Sequence, residues 1–212
     1  MKTIMKKQIC AVAIASAISM PVMADFLGVY AGIDYRTTTT SYSSIDSDFE
    51  DTNNLSGYIA LEHFIPLIPN VKLKYSDLST TSAMGGNEPS SSAVNGILYY
   101  QLFDNGLFEF DFGLAYTAVE DIKSQSADLG QAYGAAKIHV PGTGMHAFAE
   151  LIGGSVTDDN ATDAELGLAY TFNPDSIIMN FSVRAGYRYQ EMKINDRTQE
   201  NKGLFAGIEA HF

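Results

Sequence analysis

Four histidines and a series of acids and bases placed two residues apart are the positions in this chain that could do chemistry. His63, His139, His146 and His211 could act as general bases or metal ligands, but their spacing fits no ligand pattern. Each also falls beside a short turn-rich stretch or close to the C-terminus. Asp46, Asp48, Glu50 and Asp51 in "DSDFED" look like part of a calcium loop, yet the central glycine and distal glutamate are missing. No nucleotide motif and no nucleophile elbow occurs. The sequence therefore assigns no catalytic residue, no metal ligand and no cofactor.

The acids and bases are more informative, because they share a parity. In "LFEFDFGLAYTA", Phe108, Phe110, Phe112, Leu114 and Tyr116 fall on one face of an extended chain, and Glu109, Asp111, Gly113, Ala115 and Thr117 on the other. "IIMNFSVRAGYRYQ" sorts the same way, with Arg184 and Arg188 opposite Phe181, Val183, Tyr187 and Tyr189. Across the chain the polar parity collects Glu62, Lys72, Lys74, Glu109, Asp111, Lys137, Glu150, Glu165, Arg184, Arg188 and Glu209. A lumen lined by one sign of charge would make a constriction or a proton path, whereas mixed signs pair and fill the space. The signs here are mixed. Counting outward from the connections predicts Glu165 opposite Arg184, with Glu209 within about one residue of the same arginine. It also puts Glu62 near Lys72 and Lys74, and Lys137 near Glu150.

Ten alternating segments must hold these side chains, at about 26–35, 55–64, 71–80, 93–103, 107–118, 131–140, 146–156, 163–172, 177–190 and 202–212. Polar connections such as "TTTTSYSSIDSDFEDTNN", "EDIKSQSADLG" and "EMKINDRTQEN" alternate with short ones, "IPLIPN", "DNG", "PGTG" and "NPDS". Tyr30, Tyr35, Tyr58, Tyr75, Tyr116, Tyr170, Tyr187, Phe172 and Phe212 cluster toward segment ends, where interfacial aromatic girdles belong. The pattern predicts an all-β, transmembrane, antiparallel up-and-down barrel of ten strands, with eight as the alternative and both termini periplasmic.

The N-terminal "MKTIMKKQICAVAIASAISMPVMA" has three lysines, a short apolar stretch and a small-residue cleavage site. It reads as a secretory signal over 1–24, leaving 25–212 as the barrel. Cys10, the only cysteine, would leave with it. So would Lys2, Lys6 and Lys7, leaving ten basic residues against 25 acidic ones, a net charge of −15. That sign argues against a nucleic-acid partner.

The signal, the ten-residue alternation and the final "GIEAHF" resemble the small outer-membrane β-barrel proteins of Gram-negative bacteria, in the neighbourhood of the OmpA-type and OmpW-type barrels. The resemblance spans the whole mature chain and carries no active-site motif. It implies residence in the bacterial outer membrane, contact with its lipid and lipopolysaccharide, and recognition of Phe212 by the barrel-assembly machinery during insertion. The expected state is a monomer, and the expected role envelope-structural or surface-interacting through extracellular loops. A narrow channel for small solutes is the first alternative, and a lipid-modifying outer-membrane enzyme the second.

Overall fold

A sheet whose strands all carry one apolar and one polar face leaves unpaired backbone at its edges unless it closes. The computed structural model, which describes residues 27–42, 49–65, 67–82, 91–122, 125–155, 159–174, 176, 178–195 and 197–212, shows that closure. Its strands are β1 (Leu27–Tyr42), β2 (Phe49–Glu50), β3 (Thr52–His63), β4 (Asn70–Asp77), β5 (Thr81–Ser82), β6 (Ser92–Asp104), β7 (Phe108–Ile122), β8 (Gln125–His139), β9 (Met145–Gly153), β10 (Asn160–Phe172), β11 (Asn180–Ile194) and β12 (Arg197–His211). β2 and β5 pair only with each other. The other ten form one antiparallel up-and-down barrel, closed where β1 meets β12. The leader expected over 1–24 lies outside the described residues.

The seam explains why the last strand keeps its shape to the end. Phe212 N donates to Val29 O at 2.9 Å and Val29 N donates to Phe212 O at 3.0 Å, so the terminal residue is tied into β1. Termini without such bonds fray.

Several strands, β7, β8, β11 and β12 among them, are longer than hydrophobicity alone shows, while β4 and β9 are shorter than their expected segments. "EDIKSQSADLG" was expected as a loop, but β7 runs to Ile122 and β8 starts at Gln125. "EMKINDRTQEN" likewise reduces to a two-residue connection between Ile194 and Arg197. There Asn195 takes the left-handed conformation, φ 46°, that such tight hairpins require. These stretches read as loops because the belt's apolar-out pattern stops there: Ser126, Asp128 and Lys193 are polar and exposed, while Leu129, Met192 and Ile194 between them turn inward and are buried. At the opposite end "NPDS" is too short a reading: Phe172 pairs with Phe181, and residues 173–179 connect them. In the other short turns Gly106 and Gly142 supply positive φ, at 74° and 75°.

The belt itself is apolar and faces outward. Ile33, Leu55, Leu73, Leu98, Phe112, Leu114, Leu166, Leu168, Val183, Leu204 and Ile208 are all exposed, while their neighbours in sequence point into the barrel. Tyr35, Tyr75, Tyr116, Tyr170, Tyr187 and Phe172 are also exposed on this surface. Tyr30 and Tyr58 are not, which corrects their assignment to the girdles. Tyr58 donates to Glu209, and Tyr30 stacks on His211 at 4.0 Å and faces Lys137, so both belong to the interior.

Candidate functional site

Among the described residues the expected charged side chains converge in the interior, and the alternation of the strands delivers them there. Its centre is a continuous ion-pair network. Lys72 and Lys74, two apart on β4, both reach across the lumen to Glu150 on β9, Lys74 at 2.6 Å. Lys74 also contacts Glu165 at 3.1 Å and Asp163 at 3.6 Å on β10. Arg184 on β11 pairs with Glu165 and with Asp34 on β1, the latter at 3.1 Å. Arg188 grips Asp163 through both carboxylate oxygens and donates to Ser76 at 2.8 Å.

Aromatic rings box in the cations. The Arg184 guanidinium lies 4.6 Å from the Phe148 ring, 5.2 Å from Tyr58 and 5.3 Å from Phe205. Lys72 lies 4.6 Å from the Tyr58 ring. A flat guanidinium sandwiched this way keeps attraction to the ring faces after losing its water.

Exposure of the inward charged side chains falls from one end to the other. Toward the short turns, the Lys137 and His139 side chains keep 32% and 31% of their exposure and share Glu109, at 3.1 and 2.6 Å. A cavity of about 70 Å³ opens between this level and the central network, lined among others by Tyr30, Tyr99, Tyr133, Glu62 and Asp111. Toward the opposite end the Arg188 side chain is 1% exposed. Above it Leu78, Ala93, Val119, Leu129, Ala161, Met192 and Ile194 pack into a buried apolar cluster inside the barrel.

The individual pairings differ from those counted out of the sequence. Arg184 lies opposite Ala169, and Glu165 lies opposite Arg188; Arg184 meets Glu165 only because its side chain leans along the barrel. Glu209 lies two residues away, opposite Ser182, and connects to Arg184 through the Tyr58 hydroxyl, which accepts from Arg184 at 2.7 Å. Glu62 meets neither Lys72 nor Lys74: it accepts from Tyr99 at 2.7 Å and Gln101 at 3.2 Å. Lys137 pairs with Glu109 on β7 rather than with Glu150, which sits opposite Ala135. The errors at Glu62 and across "NPDS" follow from turn lengths misjudged by a few residues, whereas Lys137 faces Glu109 directly across β7–β8 and Glu150 is taken by Lys72 and Lys74 from across the lumen.

Asp34, Arg36 and Asp163 are network members that the sequence reading passed over. Arg36 donates to Gln190 and to the Asp77 carbonyl, the latter at 2.8 Å. The signal for all three was parity: Asp34 and Arg36 alternate with Ile33 and Tyr35, and Asp163 stands two before Glu165. The histidines remain at the short-turn end, His139 and His146 with ring centroids 5.2 Å apart. Among the described residues no three His, Cys, Asp or Glu side chains converge to hold a metal ion. Asp46 and Asp48 lie outside the described residues.

A closed antiparallel barrel with an apolar outer belt and an ion-paired interior is a transmembrane β-barrel of the bacterial outer-membrane type. No protein-family model matches the sequence, and no curated protein matches it. Similar solved structures include Neisserial surface protein A, with 15% identity over 85% of this chain and 95% of that one and a TM-score of 0.38. The CymD monoaromatic hydrocarbon channel shows 12% identity over 90% of this chain and 70% of that one, with a TM-score of 0.39. Ail, the attachment invasion locus protein of Yersinia pestis, shows 12% identity over 86% and 97%, with a TM-score of 0.23. These likenesses are loose, and no residue role is carried over from any of them.

Proposed function

We propose that the chain is a plugged barrel, non-conducting at rest, whose interior is structural and whose working part is its polar crown. The crown comprises the strand ends and connections beyond the belt, at the end away from the short turns, and it serves an envelope-structural or surface-interaction role. One observation carries this reading: the lumen is crossed first by the Lys72–Glu150–Lys74–Glu165–Arg184 network and then by the buried apolar cluster of Leu78, Leu129 and Ile194. In this reading the crown faces the cell exterior and both termini face the periplasm. The belt contacts outer-membrane lipid and lipopolysaccharide, the barrel works as a monomer, and Phe212 is a signal for the assembly machinery.

A solute channel would need both layers to part. A lipid hydrolase would need histidine, serine and acid together at the crown, and the four histidines sit at the other end. Liposome swelling tests the reading. Vesicles holding the folded barrel should swell in isotonic small sugars or amino acids no faster than empty vesicles; swelling graded by solute size would replace the plug with a channel.

A further inference from the structure

At the short-turn end the outer surface carries an apolar projection that barrel closure does not require. The connection from β3 to β4 presents Phe64, Ile65, Leu67 and Ile68 outward, with Phe64 at 63% and Leu67 at 88% exposure. It is a built turn, not a loose one: Ile68 N donates to Ile65 O at 3.3 Å, and Ile65 N donates to His63 Nδ1 at 3.2 Å. The neighbouring strand reaches to meet it. The Tyr100 hydroxyl donates to the Leu67 carbonyl at 3.3 Å. Two residues on, the β6–β7 register slips between Gln101 and Phe103. A bulge of this kind places an extra residue on one strand and re-aims its side chain. Here Gln101 still points inward to Glu62, while Leu102 and Phe103 in succession are both exposed.

A contiguous apolar patch of this kind marks an interaction surface. This one is continuous with the lipid-facing belt, since Phe103 pairs with Phe110 and Tyr100 with Phe112 on β7. We propose that Phe64, Ile65, Leu67 and Ile68, with the β6 bulge, form a membrane anchor seated in the lipid leaflet at the short-turn end, so that this side of the barrel sits deeper than its short turns would otherwise place it. The occupant is lipid, because the patch extends the one surface of the molecule already committed to lipid.

The chain contains no tryptophan, so a single one reports cleanly. Leu67→Trp, Leu114→Trp at mid-belt and Lys193→Trp in the crown would each be folded into vesicles with and without acyl-brominated phospholipid. Leu67→Trp should emit at short wavelength, lose most of its intensity to brominated lipid and resist aqueous acrylamide; Lys193→Trp should do the reverse. If Leu114→Trp is quenched by lipid while Leu67→Trp is not, the anchor is overturned and the membrane belt stands. Absence of lipid quenching at Leu114 as well would overturn the membrane reading on which the anchor rests.

Discussion

Arg184 holds two carboxylates and a tyrosine hydroxyl while three aromatic rings enclose it, and this density of contacts makes it the residue on which the interior depends most. Removing one partner from a buried charge group strands the others, at a cost of about 3 to 5 kcal/mol. Arg184→Ala should therefore lower unfolding stability in lipid by that order, whereas Lys202→Ala, on the exposed surface, should leave the denaturant midpoint nearly unmoved. The Arg188–Asp163 pair adds a finer test. Arg188→Met alone should destabilise strongly, and adding Asp163→Leu should recover much of the loss, because an apolar pair of similar volume carries no desolvated charge. A double variant as unstable as the single one would mean the pair contributes more than its desolvation. Parity in the sequence was enough to send Glu165, Arg184 and Lys74 inward. It named the Glu165–Arg184 contact but not the partners of Lys74, since Lys74 and Glu150 are 76 residues apart and meet across the lumen.

Among the elements, the turns and strand ends show where sequence patterning stops being informative. Alternation located all ten barrel strands because lipid on one side and charge on the other enforce it. Above the belt the outward face turns polar, the apolar-out pattern ends, and strand is hard to tell from loop until the backbone pairing is seen, as along β11 and β12 from Glu191 to Glu200, where Met192 and Ile194 are buried inward. The tight connection at Asn195 offers a direct check on that hairpin. Asn195→Gly should be neutral or slightly stabilising, while Asn195→Val should cost on the order of 1 to 2 kcal/mol, because a β-branched residue resists positive φ. Equal midpoints for the two variants would argue against a tight hairpin. Orientation can be tested at the same level. A cysteine at Ser126, exposed in the crown, should react with an impermeant thiol reagent on intact cells, and one at Gly106 in a short turn should not. The connections around Ser43 and Gly86 lie outside the described residues.

For the molecule as a whole, the account joins an outer surface committed to lipid with an interior committed to itself. The first half predicts that a charge at mid-belt is poorly tolerated: Leu114→Arg should reduce folding stability in bilayers by about 2 to 4 kcal/mol, far more than Leu114→Ile. The second half is the central claim, and single-channel recording in planar bilayers meets it most directly. On the proposed plug, wild-type barrel, shown to be inserted and folded, should give no steady open level in molar salt, because ions would have to cross both the buried network and the apolar layer above it. Weakening that layer with Leu129→Ser and Ile194→Ser, while opening the network with Arg184→Ala, should create conductance where there was none. A stable, ion-selective open level in the unmodified protein would contradict the plug and make the barrel a channel.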